Sequence, residues 1–284
     1  MLIAQITDIH LGFDAGNPDE FNRQRLDSAL RSLREMAPRP DLLLATGDLA
    51  DAGDDSESYA RLKLAFANLP FPVYYALGNH DGREAFRANF PEAPMADGFL
   101  QYAIEDYELR ILVLDTLEEG RHGGAFCETR AAWLRERLAE APGRPTLIVL
   151  HHPPIESGLS WMTEDPEASW VERLEAIVAA HGNVVGLIAG HLHRPVVTTW
   201  AGTTLAICPS TAPQVALDLE AIDPDEPDGR PMIVADPPYY ALHLWDGRRL
   251  ISHFDTAVEH IVLARFGPEL QPLVRMLMAE KGEG

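Results

Sequence analysis

Leu42-Leu43-Leu44-Ala45-Thr46-Gly47-Asp48 is the stretch whose reading decides the fold. Four apolar residues in a row, then Thr and Gly, read as a central strand buried on both faces, as in sheets covered by helices. Its C-terminal end opens into a loop that begins with the carboxylate of Asp48. In α/β sheets that end is where ligands bind. A carboxylate after a strand is also a common turn former, so the flanking segments must decide between the two.

Upstream, Leu2 to Thr7 reads as a first strand and runs into Asp8-Ile9-His10. Residues two apart in an extended segment point the same way, so Asp8 and His10 are expected to reach one cation together. Leu26, Ala29, Leu30, Leu33 and Met36 recur at helical spacing, and Pro38 and Pro40 end that helix before the Asp48 strand begins. Downstream, Ser56 is expected to cap a helix reaching about Leu69, with Tyr59, Leu62, Ala65, Phe66 and Leu69 on one face. Val73 to Ala76 then forms a short strand that delivers Leu77-Gly78-Asn79-His80-Asp81.

Gln101–Ile104 and Leu109–Asp115 read as a hairpin, and His122 in the loop that follows is assigned to solvent. Thr129 is expected to cap the next helix, whose apolar side is Ala132, Trp133, Leu134 and Leu138. The buried run Thr146–Leu150 carries His151-His152-Pro153-Pro154 at its end. Adjacent strand residues face opposite ways, so one of the two histidines is expected to be a ligand and the other a supporting or packed group. After an amphipathic helix from Trp170 to Ala180, Val184–Ala189 is the last central strand, and it ends in Gly190-His191-Leu192-His193. From there strands follow one another without helices, at Val196–Trp200, Thr203–Ile207, Gln214–Leu217, Tyr239–Trp245 and Leu250–Phe254, which predicts a second sheet packed on the first. The intervening Asp218–Pro238 is rich in Asp, Glu and Pro and reads as an exposed acidic arm. His243, His253 and His260 read as structural.

Five strand ends thus present Asp8 and His10, Asp48, Asn79 with His80, His151, and His191 with His193. Mixed nitrogen and oxygen donors without thiolate suit Zn, Fe, Mn or Co, and seven ligands with one shared divide into two sets of four. Two metal ions are expected.

These residues resemble the calcineurin-like metallophosphoesterases, whose pattern is D-x-H, G-D, G-N-H-[DE], H and G-H-x-H. All five blocks are present in order, from Asp8 to His193, about two-thirds of the chain. The resemblance implies that Asp8, His10, Asp48 and His193 hold one ion and that Asp48, Asn79, His151 and His191 hold the other. It further implies that His80 is a non-ligating histidine at the substrate phosphate, which its neighbour Asp81 would orient. The fold implied is an α/β four-layer sandwich, two mixed sheets flanked by helices. The chemistry implied is attack of water, acidified towards pKa ~7 between two cations about 3.5–4 Å apart, on a phosphoryl group. His151-His152-Pro153-Pro154 and the strand-rich tail are similar to the bacterial class III cyclic-nucleotide phosphodiesterases and glycerophosphodiesterases. Protein Ser/Thr phosphatases differ, having an arginine shortly after the bridging Asp and a Glu after the Asn-His.

Composition bounds the alternatives. With 46% hydrophobic and 24% charged residues, the 284-residue chain is expected to fold as one elaborated domain, residues 1–284. A net charge of −21 argues against sequence-independent binding to nucleic acid, and so against a nuclease, and against anionic membrane. Cys127 and Cys208 are too few for a disulfide framework. No run approaches the ~20 apolar residues of a membrane span, and the N-terminus lacks a basic leader, so a cytoplasmic location is expected. The expected partner is a small phosphodiester. A phosphomonoester is the alternative substrate, a non-catalytic binding module the alternative role, and a homodimer or larger assembly through the tail and arm is the expected quaternary state.

Overall fold

In the computed structural model, which describes residues 1–282, the 42–48 stretch forms the strand that its composition predicts. β2 (Leu42–Thr46) is buried at every position and lies parallel between β1 (Leu2–Ile6) and β3 (Val73–Ala76). The other side of β1 is taken by β12 (Tyr239–Trp245), antiparallel with Leu2 opposite Leu244, and β13 (Leu250–Thr256) completes a five-stranded mixed sheet.

The second mixed sheet has six strands, in the order β4 (Tyr102–Ile104), β5 (Arg110–Val113), β6 (Thr146–Val149), β7 (Val184–Ala189), β9 (Thr203–Ile207) and β8 (Val196–Trp200). The strands of the tail therefore do not build a sheet of their own, contrary to the expectation. β8 and β9 extend one sheet and β12 and β13 the other, because each sheet offered an open edge beside a central strand. β10 (Gln214–Val215) and β11 (Ile233–Val234) pair with each other in a two-stranded sheet, as the base of the arm. Past β10 the arm leans on its own chain: the Ile222 amide donates to Ser160 Oγ at 3.3 Å, and Arg230 donates to the carbonyls of Glu220 and Ala221.

Alternation along the strands assigns the layers. Ile111, Val113, Leu147, Val149, Ile188 and Ala206 belong to the apolar core shared with the first sheet, whereas Leu112, Ile148, Leu187, Leu205 and Ile207 belong to the core under helices α4 (Glu128–Glu140) and α5 (Ser169–Ala179). A period of two puts successive side chains on opposite faces, which is why these strands are apolar throughout. Helices α1 (Phe21–Glu35), α2 (Ser56–Phe66) and α3 (Arg83–Asn89) cover the first sheet, with Leu26, Leu30, Leu33, Tyr59, Leu62 and Phe86 buried.

Two expected caps are displaced. Asp55, not Ser56, caps α2, its Oδ1 accepting from the amides of Glu57 and Ser58 at 3.1 Å. α4 begins at Glu128 with Cys127 in the cap position, ahead of Thr129. His243 is structural as expected, buried between Gln5 Oε1 and Ser252 Oγ. At the C-terminal end, α6 (Gln271–Ala279) buries none of its residues, and Ile261, Leu263 and Phe266 before it are also exposed.

Candidate metal centre

The five strand ends meet, but from two sheets rather than one. Asp8 and His10 follow β1, Asp48 follows β2, Asn79 and His80 follow β3, and from the facing sheet come His151 after β6 and His191 and His193 after β7. Hydrogen bonds stitch the two sets together. The Asp8 carboxylate accepts from the amide of His191 at 3.0 Å, and His151 Nδ1 donates to the carbonyl of Thr46 at 2.8 Å.

The local conformation differs from the extended one assumed for D-x-H and H-x-H. Asp8, His10, Asp48, His191 and His193 all have positive φ, between 48° and 71°. That left-handed region is costly for side-chain-bearing residues and persists where the surroundings over-determine it. β1 ends at Ile6 and β7 at Ala189, so both pairs reach the centre through tight turns, not by the two-residue period of a strand. Gly78 shows how closely the turns approach. A Cβ there would lie 2.3 Å from Asp48 Oδ1 and 2.6 Å from His151 Nε2.

Distances converge on one space. His151 Nε2 is 3.4 Å and His10 Nε2 3.7 Å from Asp48 Oδ2; His193 Nε2 is 3.4 Å from Asp8 Oδ1 and 3.3 Å from His10 Nε2. Ring orientation is set from behind. His10 Nδ1 meets Asp51 Oδ1 at 3.1 Å and His193 Nδ1 donates to the carbonyl of Pro213 at 2.8 Å, so each ring directs Nε2 inward. The loop carrying Pro213 is itself pinned by the buried Arg25, which donates to the carbonyls of Thr211, Ala212 and Asp236.

Electrostatics favour cations here. Burial opposes ionisation of Asp8 and Asp48, yet His193 beside the first and His151 beside the second hold both carboxyls below the usual range. Burial would push His151 down, but the Asp48 and Asp8 carboxylates raise it to about 9, and Asp8 raises His193 likewise. His191, buried among His152, His151 and His122, is held well below the ordinary value and is neutral, the form that donates a lone pair.

The donor set fits metal ions on grounds internal to the fold. Asn79 Oδ1 and His151 Nε2 are buried and have no hydrogen-bond partner among the described residues, an arrangement that costs free energy unless something else accepts their lone pairs. Groups able to hold an ion include Asp8, His10 and His193; Asp8, Asp48 and His151; His10, Asp48 and His80; and His151, His152 and His191.

One residue differs from its expected role. Asp81 does not orient His80. Its buried carboxylate accepts from the amides of Leu49, Ala50 and Gly78 and from the Tyr59 hydroxyl, fastening the loop after Asp48 to the loop before Asn79. His80 is oriented instead by the Asp51 carbonyl, 2.9 Å from its Nδ1. His122 is exposed, as expected, and also borders the centre: Nδ1 lies 3.4 Å from Asn79 Nδ2 and its ring 4.7 Å from that of His191. The adjacent Gly123-Gly124 was the available signal, since a Cβ at Gly124 would lie 2.8 Å from His152 Cβ. His152 stands beside His151, with Nδ1 2.9 Å from Thr116 Oγ1 and its ring 4.7 Å from that of His151 and 4.8 Å from that of His191.

Residues 1–195 match the family model described as calcineurin-like phosphoesterase. The chain is 36% identical over 238 residues to a probable cyclic nucleotide phosphodiesterase of Rhodopseudomonas palustris, covering 81% of this chain and 82% of that one. It is 31% identical over 250 residues to a probable glycerophosphodiester phosphodiesterase of Arcobacter nitrofigilis, covering 86% and 89%. The crystal structure of a dimetal phosphatase from Danio rerio shares the fold, with a TM-score of 0.65 at 15% identity, covering 91% of this chain and 97% of that one.

Proposed function

This chain belongs to the calcineurin-like phosphoesterase family, and from that premise we propose that it is a metal-dependent phosphodiesterase acting on small diesters, either 3′,5′-cyclic nucleotides or glycerophosphodiesters. The observation that carries the reading is the meeting of seven oxygen and nitrogen donors, with Asn79 Oδ1 and His151 Nε2 buried and unpartnered. Asp8, His10, Asp48 and His193 would hold one ion, and Asp48, Asn79, His151 and His191 the other, drawn from Fe, Mn, Zn or Co. Two such ions supply Lewis acidity to the phosphoryl group and acidify water.

The chain's own contribution is to orient and to exchange protons. His80, anchored through Nδ1 by the Asp51 carbonyl, keeps Nε2 free to stabilise the phosphoryl group or to protonate the departing oxygen. Asp48 Oδ1 holds the His80 amide at 2.8 Å, tying that histidine to the metal ligand. Asp81 acts at a remove, as the clamp between the two loops.

A diester is favoured over a monoester by the relatives, which are named as phosphodiesterases, and the side chains lining the cavity include acids. Asp14, Glu20, Asp48 and Asp51 line it, and no Lys or Arg does among the described residues. The purified, metal-loaded enzyme is expected to hydrolyse bis(p-nitrophenyl) phosphate faster than p-nitrophenyl phosphate. The reverse order would sink the diester assignment, and hydrolysis of neither would favour a non-catalytic module.

The same proposal includes one domain over residues 1–284, supported by the return of β12 and β13 to the sheet that β1 begins. It includes a cytoplasmic location, supported by the unpaired Cys127 and Cys208. Among the described residues no helix is long and apolar enough to cross a membrane. It also includes a homodimer or larger assembly through the tail and arm, supported by the apolar side chains that α6 and residues 261–266 leave exposed. Light scattering is expected to return at least twice the 31.4 kDa chain mass, and a mass near 31 kDa at micromolar concentration would reject assembly.

A further inference from the structure

The cavity over the metal centre has a second wall, and it is apolar. Its roughly 680 Å³ is lined, besides the centre, by Phe13, Phe21, Trp161, Met162, Val215 and Ile233. Three separate segments supply these side chains: the loop after β1 together with the first residue of α1, the loop between β6 and α5, and the two short strands at the base of the arm. Phe13 is 73% exposed, Phe21 53%, Ile233 54% and Trp161 36%, so this apolar surface meets water until something covers it.

We propose that the wall is a docking subsite for the organic part of the ester, and that the preferred substrate carries a flat, apolar-faced group of the nucleobase kind rather than a glycerol. The inference rests on the phosphodiesterase reading and deepens it. The wall is braced rather than loose. Leu219 of the arm packs at Gly158, where a Cβ would lie 3.3 Å from its Cδ2, and the Ile222 amide bonds Ser160 Oγ, so the arm supports the loop that carries Trp161. The Arg25 guanidinium sits 5.2 Å from the Phe21 ring centroid and is itself fixed by three carbonyls.

Polar groups beside the wall are already committed. Glu20 accepts from the amides of Gly12 and Asp14 and from Arg61, Asn22 Nδ2 donates to the His10 carbonyl, and Asp14 Oδ2 accepts from Asn17. Glycerol hydroxyls would lose water here for few returns, whereas a base gains by stacking and by covering apolar surface. With no Lys or Arg in the lining among the described residues, a second phosphate on the same group would find no cationic side chain there.

The test compares kcat and KM of the metal-loaded full-length enzyme for 3′,5′-cyclic AMP and for glycerophosphoethanolamine, in the wild type and in Trp161→Ala and Phe13→Ser. Stacking of a base on one aromatic side chain corresponds to about five- to a hundredfold in binding. The wild type is expected to prefer the cyclic nucleotide in kcat/KM, and each variant to lower that preference about tenfold, through KM. Matching unfolding midpoints establish that the variants fold, and Phe13, being the more exposed, serves if Trp161→Ala does not. A wild-type preference for the glycerol ester, or a ratio unmoved by both substitutions, overturns the subsite. Bis(p-nitrophenyl) phosphate separates the two levels: if it is not cleaved, the phosphodiesterase reading itself has failed, and if it is cleaved while the ratio stays fixed, only the wall has.

Discussion

Asp48→Ala is expected to retain less metal than His193→Ala and to lose activity by about a thousandfold or more. Asp48 Oδ2 lies between His10 Nε2 and His151 Nε2, one from each proposed ligand set, so its loss weakens both positions, whereas His193 belongs to one. The damage is also electrostatic. Asp48 is the leading influence that raises His151 to about 9 against its burial, and without it His151 faces a single carboxylate, Asp8, where there were two. Metal-ion stabilisation of the reacting phosphoryl group is worth several kcal/mol, or roughly a thousandfold at 1.36 kcal/mol per tenfold. Elemental analysis after gel filtration provides the check. Equal metal per chain in the two variants would rule out the shared carboxylate.

His80→Ala separates metal binding from chemistry. The ring is held by the Asp51 carbonyl and packs edge-on against His10 at 4.5 Å between centroids, while the backbone amide, which the substitution leaves in place, makes the bond to Asp48. Metal content and melting temperature should therefore stay near those of the wild type. Turnover should fall by about 10²–10⁴-fold, the range typical of general-acid or electrostatic assistance. If protonation is its task, the loss should be larger for an alkyl leaving group than for p-nitrophenolate, which departs without a proton. Loss of metal would make His80 a ligand or its support, and unchanged turnover on an alkyl ester would make it a bystander.

The elements legible in the sequence were those whose pattern is local. β2, β6 and β7 are runs of apolar residues buried on both faces, and α1 and α5 carry regular stripes, so composition and period suffice to place them. The metal-centre residues were legible as blocks at strand ends, but their geometry was not. The positive φ of Asp8, His10, Asp48, His191 and His193 has no marker in the identity of those residues and is imposed by bonds such as Asp8 N to the Gly47 carbonyl and His10 N to the Asp48 carbonyl. Asp81 was misread for a related reason. Adjacency to His80 suggested a pair, whereas the chain turns between them and sends the carboxylate towards amides some thirty residues upstream. The partition of the tail between two sheets depended on which edges were open, and α3, only seven residues long, is too short to show a period.

The pairing of β1 with β12 has a consequence for how the chain acquires its shape. Leu2 lies opposite Leu244, so one flank of the first strand waits for a segment that leaves the ribosome some 240 residues later. Every metal-centre residue, the last being His193, has been synthesised before that partner exists. In the interval the amide and carbonyl groups of Leu2–Ile6 present an open, apolar strand edge, the kind of surface that recruits other chains. Closure of so distant a contact is slow because a long loop must be ordered before any bond rewards it. Completion of the first sheet is thus tied to the segment Tyr239–Trp245, which carries none of the proposed metal ligands.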